Sequence, residues 1–340
     1  VFEHLKQFAD SAEIQEFRVP LGSHFQSLKL FATAYVLTLA VLPYYPLAAL
    51  GMSACVSILF VGHFVTYRHW LDFLFRKQSS CNVIGNIEPL GEAKATILFA
   101  GHIDSVREFK WWYRLKGLGV ALTTLACSLL TFLFVFVLAY VAASPAAAQQ
   151  IYLGLWLASP ILWLLVDMHG KQVVQGVNDN LTGVALAMSL AEYFHQHRPH
   201  HTRIRVVSFG AEEPGLRGSL EFARANKSQL MAERTLLINM DTIKDEEFLA
   251  IVASELNTLS FFDRSLVAEM QTAFAACGTP VKTVSLPMGA TDASAFAMHG
   301  LPALALIGMN TKKLDPTYHT RLDAIENLDA TAMHKLQRVL

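Results

Sequence analysis

The chain has 340 residues, which is enough for one large α/β domain or two ordinary ones. Its formal net charge of −1 provides no strong field for nucleic acid, so we exclude that class of partner. Only 16% of the residues are charged, against roughly 25% in typical soluble domains. This shortage of charge is concentrated in two regions of the chain.

The first apolar region runs from Leu28 to Val65, and Lys29 is its only charged residue. The stretch PYYP at residues 43–46 divides it into two arms. We expect residues 28–66 to form a transmembrane helical hairpin, with a buried hairpin in a soluble core as the alternative. Residues 1–27, which precede it, are assigned to the soluble domain.

The second apolar region runs from Leu118 to Val166. Its first arm has about 25 residues, long enough at ~1.5 Å per residue to cross a hydrocarbon core of ~30 Å. The second arm, IYLGLWLASPILWLLV, is near the lower limit for spanning, and the link ASPAAAQQ carries no charge. We expect a second transmembrane hairpin at residues 117–167.

Basic residues flank both hairpins on one side only. Neither hairpin link contains a Lys or Arg, whereas the flanks contain Arg68, Arg76, Lys77, Arg107, Lys110, Arg114, Lys116 and Lys171. Because basic residues near membrane ends stay in the cytoplasm, both hairpins should enter and return on that side. The sequence thus predicts a multi-pass integral membrane protein whose soluble domain is cytoplasmic.

The remaining soluble domain comprises residues 1–27, 80–116 and 170–340, in which strand-like and helix-like patterns alternate. This alternation predicts an α/β fold with a doubly wound, mostly parallel sheet. Such sheets place their sites at the carboxyl ends of the strands. The predicted strands are KATILFAGHID, RIRVVSFGAEE, RTLLINMDTI, PVKTVSL and PALALIGM, and the predicted helices are Gly183–His195, Leu216–Asn226, Leu259–Ala276, Asp292–His299 and a last one from about Leu328.

Polar side chains follow these strands where a site is expected. The set is His102, Asp104, Asp179, Glu212, Glu213, Asp241 and His319. Nitrogen and oxygen ligands without cysteine suit Zn²⁺ or a similar divalent ion, and they suffice for two ions if one carboxylate bridges. Two such ions can activate a shared water. In the glutamate pair, one member can bind metal while the other remains a general base.

The segments GHIDS, GVNDNLTGVA, GAEEPGLRGS, NMD, TDASAF and YHTRLDAIENLD keep the order found in one enzyme family. From about residue 81 to its end, the soluble domain resembles the M28 zinc aminopeptidases. The resemblance implies two zinc ions per chain. His102 and Glu213 would hold one ion, Asp241 and His319 the other, and Asp179 would bridge them.

The same resemblance implies the remaining roles. Glu212 would be the general base, and Asp104 would form a hydrogen bond with His102 that fixes the tautomer of the imidazole. The substrate would be a peptide with a free amino terminus, from which the enzyme removes the terminal residue. Two alternatives stay open: a glutaminyl cyclase-like transferase with a single zinc ion, and a catalytically inactive membrane adaptor. The oligomeric state is not predicted.

The sequence departs from typical family members between His102 and Asp179, where the second hairpin is inserted. This insertion removes no ligand, but it ties the catalytic edge closely to a membrane segment at both ends. We therefore expect the lipid bilayer to be a partner and peptides at the membrane surface to be favoured over freely diffusing ones.

Overall fold

The computed structural model describes residues 1–311, 313 and 315–340, and these divide into two compact units. The sheet unit comprises Val1–Val19, Lys77–Val106 and Val173–Leu340. The helical unit comprises Pro20–Arg76 and Arg107–Gln172. Residues 20–27, 107–116 and 170–172, which were predicted in the soluble domain, therefore group with the apolar helices.

The strands of the described residues are β1 (Ser11–Val19), β2 (Gln78–Ile87), β3 (Ala95–His102), β4 (Arg107–Phe109), β5 (His169–Val173), β6 (Thr202–Phe209), β7 (Thr235–Ile243), β8 (Leu249–Glu255), β9 (Ser260–Phe261), β10 (Lys282–Leu286) and β11 (Ala303–Gly308). The α-helices are α1 (Phe2–Phe8), α2 (Ser23–Val41), α3 (Pro46–Phe60), α4 (Lys110–Leu115), α5 (Gly117–Thr131), α6 (Leu133–Ala142), α7 (Pro145–Ala158), α8 (Leu162–Val166), α9 (Thr182–Gln196), α10 (Arg217–Ala232), α11 (Arg264–Ala276), α12 (Asp292–Met298) and α13 (Thr331–Gln337).

The sheet unit is built on one mixed sheet with the strand order β1-β2-β6-β3-β7-β11-β8-β10, and β9 pairs with β8. The central strands β6, β3, β7 and β11 are parallel, whereas β2 pairs antiparallel with β6 and β8 antiparallel with β11. The predicted α/β fold with a mostly parallel central sheet is therefore confirmed.

The central strands are buried because their sequences are almost continuously apolar. Leu98 and Phe99 on β3, and Val206 and Val207 on β6, are all at most 2% exposed. Parallel strands covered on both faces show this pattern, since neither side chain direction reaches water. The buried centre holds the carboxyl ends of β6, β3 and β7 side by side.

Several elements differ from the prediction. The antiparallel strands β1, β2 and β8 were not predicted. The helix expected over Leu259–Ala276 begins only at Arg264, because the Asp263 side chain accepts hydrogen bonds from the backbone N–H groups of Ser265 and Leu266. An acceptor at this position fixes the first turn of a helix. The residues just before it form β9 instead.

In the helical unit, two helices of the described chain are long and apolar enough to cross a membrane, Pro46–Val65 and Pro145–Val166. A third candidate consists of α5 and α6 together, but these are bent by 57° at the break between them. The helix α2, which contains the first arm of the first predicted hairpin, is not among these candidates. Four full spans therefore remain a prediction.

The bend between α5 and α6 has an identifiable cause. In a continuous helix the backbone N–H of Phe134 would bond to the carbonyl of Leu130. Here the Ser57 hydroxyl on α3 donates to the Leu130 carbonyl at 3.0 Å and accepts from the Phe134 N–H at 3.2 Å. A side chain inserted in this way opens a helix while keeping its backbone groups paired, as an apolar environment requires.

The boundary shifts of the helical unit also have local causes. The helix α2 begins at Ser23, before the apolar run starts, and the Ser23 hydroxyl donates to Asp72 Oδ1 at 2.8 Å within the same unit. Farther along the chain, β4 pairs with β5 in a two-stranded sheet. Neither pairing is readable from hydropathy, on which the predicted limits rested.

Candidate active site

The predicted site residues of the sheet unit come from five separate segments. His102 is the last residue of β3, Asp241 lies near the end of β7, and Glu212 and Glu213 follow β6. Because β3 pairs in parallel with both β6 and β7, these three ends share one edge of the sheet. Asp179 precedes α9, and His319 lies in the loop after β11.

Two glycines allow the start of α9 to reach this edge. A Cβ atom on Gly101 would lie 2.8 Å from the carbonyl carbon of Gly183, and one on Gly183 would lie 2.2 Å from the carbonyl oxygen of Met240. No side chain fits at either distance. The missing side chains therefore permit the close backbone approach that brings Asp179 towards His102 and Asp241.

His102, Asp179 and Asp241 form the first group of potential metal ligands. One ligand atom of each residue lies within 4.8 Å of the others, and His102 Nε2 is 3.2 Å from Asp179 Oδ1. All three side chains are buried, and His102 is only 1% exposed. An imidazole and two carboxylates are a donor set that suits zinc.

Asp179, Glu213 and His319 form the second group, so Asp179 belongs to both. His319 Nε2 lies 3.1 Å from Asp179 Oδ2 and 3.3 Å from Glu213 Oε2. The two oxygens of Asp179 thus face different histidines.

This grouping corrects the pairing that the resemblance implied. His102 groups with Asp241, on the neighbouring strand, and His319 groups with Glu213. The prediction had paired His102 with Glu213 and His319 with Asp241. The difference arises because Glu213 lies beyond the end of β6, where the His319 loop meets it, whereas Asp241 is still within β7.

The charges of the two groups require positive partners. Burial lowers the pKa of His102, but the carboxylates of Glu212, Asp179 and Asp241 outweigh it and raise that pKa well above the ordinary value. Burial likewise opposes protonation of His319, yet Glu213 and Asp179 raise its pKa to about 10. A cluster that retains protons so firmly is one in which a cation would be stabilised.

The carboxylates in the cluster also indicate that a cation would be stabilised there. Burial raises the pKa of Glu213 to about 7 and that of Asp241 to about 6. Glu213 Oε1 is also buried and has no hydrogen-bond partner among the described residues. A buried carboxylate oxygen without a donor is costly unless a cation binds it. The donor set, the burial and this oxygen together fit a divalent metal.

Asp104 contacts His102 through its backbone and the glutamate pair through its side chain. The carbonyl oxygen of Asp104, and not its carboxylate, lies 3.1 Å from His102 Nδ1. Its carboxylate accepts the backbone N–H groups of Glu212 at 2.9 Å and Glu213 at 3.1 Å. The expected hydrogen bond between Asp104 and His102 is therefore present, but the backbone carbonyl makes it, while the carboxylate, with Oδ1 3.8 Å from His102 Nδ1, holds the backbone of the glutamate pair.

Glu212 belongs to neither ligand group. Its Oε2 lies 3.7 Å from His102 Nε2, and the side chain is buried. Burial raises the pKa of Glu212 well above its ordinary value, and the carboxylates of Asp292 and Glu213 add to this effect. A carboxylate beside the ligands, but outside both groups, is in a position to exchange protons with a reacting molecule.

Three residues at the site were missed in the sequence. Tyr318 stacks on His319 with ring centroids 3.9 Å apart, and Asp323 contacts the segment that carries Asp179. Both lie in the quoted segment YHTRLDAIENLD, so the signal was their spacing from His319. Asp292, in TDASAF, is fully buried and raises the pKa of Glu212, although no pattern around it predicts a role.

Residues 163–340 match the model of peptidase family M28. This range contains Asp179, Glu212, Glu213, Asp241 and His319, whereas His102 and Asp104 precede it. No curated protein sequence matches the chain significantly.

Solved structures of low sequence identity share the fold. An aminopeptidase from Aneurinibacillus sp. strain AM-1 is 17% identical with a TM-score of 0.51, covering 78% of this chain and 47% of that one. A zinc aminopeptidase from Bacillus subtilis is 18% identical with a TM-score of 0.50, covering 78% and 49%. A glutaminyl cyclase from Porphyromonas gingivalis is 15% identical with a TM-score of 0.51, covering 78% and 77%. The matched part of this chain thus spans about half the length of the two aminopeptidases.

Proposed function

The chain belongs to peptidase family M28, and from this premise we propose that it is a binuclear zinc aminopeptidase. The observation that carries the proposal is the sharing of Asp179 by two histidine–carboxylate groups. A carboxylate with one oxygen towards each group is what a bridging ligand requires. One ion would be held by His102, Asp179 and Asp241, and the other by Asp179, Glu213 and His319.

Zinc bound in these groups would supply Lewis-acid activation of a water molecule and of the scissile carbonyl. Glu212 takes the proton from the attacking water and delivers it to the nitrogen of the leaving amine. During this transfer the Asp104 carboxylate holds the backbone of Glu212, because it accepts a hydrogen bond from the Glu212 N–H at 2.9 Å. His102, fixed through its Nδ1 by the Asp104 carbonyl, keeps Nε2 directed at Asp179.

The preference for an amino-terminal residue follows from charge. Glu212 and Asp292 are buried beside the site but belong to neither ligand group, so they would keep a negative charge that favours a substrate with an ammonium group after the two ions are bound. We therefore infer that the free α-amine of a peptide is recognised and that the first residue is removed.

We further propose that the helical unit anchors the enzyme in a lipid bilayer as a multi-pass protein. The two long apolar helices and the bent pair support this, and the eight basic flanking residues favour a cytoplasmic sheet unit.

The test is a metal count on the purified full-length chain, combined with hydrolysis of a panel of amino-acid amides. Two zinc ions per chain with release of free amino acids would support the proposal. The Asp179→Ala variant should lose both ions together, and Asp329→Asn, which changes an exposed carboxylate of the same chain, serves as the control.

Other outcomes distinguish the alternatives. One zinc ion with cyclisation of amino-terminal glutamine would instead favour a glutaminyl cyclase, whose fold this chain shares. Full zinc loading without turnover on any substrate would favour the inactive adaptor.

A further inference from the structure

The carboxylate of Asp323 holds the segment that carries the shared ligand Asp179. Asp323 lies four residues after His319 and is 1% exposed. Its Oδ1 accepts the backbone N–H of Asn178 at 2.7 Å and the Asn178 side-chain amide at 2.8 Å, and its Oδ2 accepts the backbone N–H of Asp179 at 3.1 Å. Asp323 itself belongs to neither ligand group.

These three bonds answer a local need of the backbone. Asn178 and Asp179 are both at least 95% buried, so water cannot satisfy their N–H groups. Unpaired buried donors cost about 1–3 kcal/mol each. Asp323 is thus the acceptor that allows this non-helical segment to be buried beside the site.

The opposite side of the same segment is held by a different residue. The Asn180 side chain donates to the Met240 carbonyl at 2.8 Å and accepts the Thr242 N–H at 3.2 Å, which links it to β7 on both sides of Asp241. Asn180 therefore fixes the position of Asp179 relative to Asp241. Asp323 fixes the position of Asp179 relative to the loop that carries His319.

The His319 loop is also fixed at its other end. Lys244, just after β7, forms a largely buried ion pair with Asp315, which lies four residues before His319. Asp315 Oδ1 in turn accepts the Thr317 N–H at 2.7 Å. Asp323 therefore belongs to a loop that is held at both ends, so its hydrogen bonds can keep the backbone of Asp179 in one position.

We propose that Asp323 is a positioning residue that directs the two oxygens of Asp179 towards the two ligand groups, so that both metal ions are bound together. The proposal rests on the binuclear site proposed above. Outer residues that orient metal ligands typically contribute about 10–100-fold to metal affinity. Because Asp179 is shared, loss of its orientation weakens both ions and not one.

The experiment measures zinc affinity and stoichiometry by competition with a chelator on purified full-length protein. Asp323→Ala should bind both ions about 10–100-fold more weakly than the wild type. Asp323→Asn can still accept from Asn178 but directs an amide N–H₂ at the N–H of Asp179, so its loss should be smaller. Asp329→Ala, which removes an exposed carboxylate that accepts the Thr331 N–H, is the matched control and should leave affinity unchanged.

Stability and catalysis separate positioning from general folding. If Asp323→Ala does not fold, the zinc affinity of Asp323→Asn tests the proposal instead. The thermal midpoint of the metal-free protein is measured together with that affinity. A fall in kcat with little change in KM at saturating zinc is expected. Wild-type affinity for both ions in a folded Asp323 variant, or loss of one ion alone, would overturn the inference. A wild-type protein that binds no zinc would instead overturn the proposed function.

Discussion

Glu212 and Glu213 are adjacent in sequence but have different partners in the structure. Glu213 Oε2 lies 3.3 Å from His319 Nε2, whereas Glu212 faces His102 and lies outside both ligand groups. Asp104 makes this separation possible, since its carboxylate fixes both backbone N–H groups. One carboxylate is therefore available as a ligand and its neighbour as a base.

Replacing Glu212 by Gln should preserve zinc binding and abolish most turnover. The substitution keeps the volume and removes the group that accepts the proton of water, a contribution of about 10²–10⁴-fold in kcat. The measurement is kcat together with zinc content, and Glu213→Gln is the matched control that should lose zinc instead. Zinc loss in Glu212→Gln would mean that the two roles are exchanged.

The candidate ligands His102, Glu213 and Asp241 could be predicted because each lies at or near the end of a strand with an apolar sequence. Their pairing could not, since it depends on where the segment around Asp179 and the loop around His319 run after leaving regular structure. Asp104 shows the same limit. In the segment GHIDS it lies two residues after His102, but its carboxylate accepts hydrogen bonds from residues more than one hundred positions away in the sequence.

At the scale of elements, the bend between α5 and α6 was not predictable from hydropathy. The sequence is uniformly apolar from Leu118 to Ala142, which favours one continuous helix. The bend depends on Ser57, a residue of another helix, whose hydroxyl replaces one backbone bond with two. Antiparallel β1 and β2 were missed for a related reason, because their partners lie far apart in sequence.

Replacing Ser57 by Ala should destabilise the helical unit. The variant leaves the Leu130 carbonyl and the Phe134 N–H without their partner, at a cost of about 1–3 kcal/mol. The thermal midpoint in detergent measures this, with Ser128→Ala as the control, because Ser128 donates only to Thr124 within its own helix. Equal midpoints for both variants would show that the hydroxyl does not hold the bend.

The end of β8 contributes a pH-dependent term to stability. Glu255 is 0% exposed, and burial raises its pKa to about 7 although Ser294 and Thr291 donate to its carboxylate. Since the folded state then binds more protons than the unfolded one, this contribution is present at low pH and is lost as pH rises towards and through 7.

The prediction concerns the difference in thermal midpoint between the wild type and the Glu255→Gln variant. The thermal midpoint of the metal-free wild type should fall relative to that of Glu255→Gln as the pH is raised from 5 to 8. The Gln variant cannot ionise at this position, so the titration of Glu255 is the main contribution to the difference between the two midpoints. A difference that stays constant over this range would contradict the raised pKa.

The whole molecule is two units interleaved along one chain. The sheet unit is completed only when its third segment, Val173–Leu340, joins Val1–Val19 and Lys77–Val106. Composition indicated this division, because the long apolar stretches that are nearly free of charged residues occur in two regions, from Leu28 to Val65 and from Leu118 to Val166. The predicted limits differ from the observed ones at residues 20–27, 107–116 and 170–172, where contacts within the helical unit and not hydropathy determine membership.

The proposed orientation predicts which positions are accessible from outside the cell. Single cysteines at Gln149 and His200, in a background without the four native cysteines, would be treated with a membrane-impermeant thiol reagent in intact cells. Both positions are exposed in the structure. The charge distribution predicts labelling at Gln149 and protection at His200. The reverse pattern would place the sheet unit outside the cytoplasm.

One comparison of substrates tests most directly whether this chain is a zinc aminopeptidase. The zinc-loaded full-length protein is given a peptide with a free amino terminus and the same peptide acetylated there. Because the buried carboxylates outside the two ligand groups would bind an ammonium group, we expect release of the first residue from the free peptide and at least a 10²-fold slower reaction, about 2.7 kcal/mol, for the acetylated one. Equal cleavage of both peptides would contradict it and indicate an endopeptidase or an amidase.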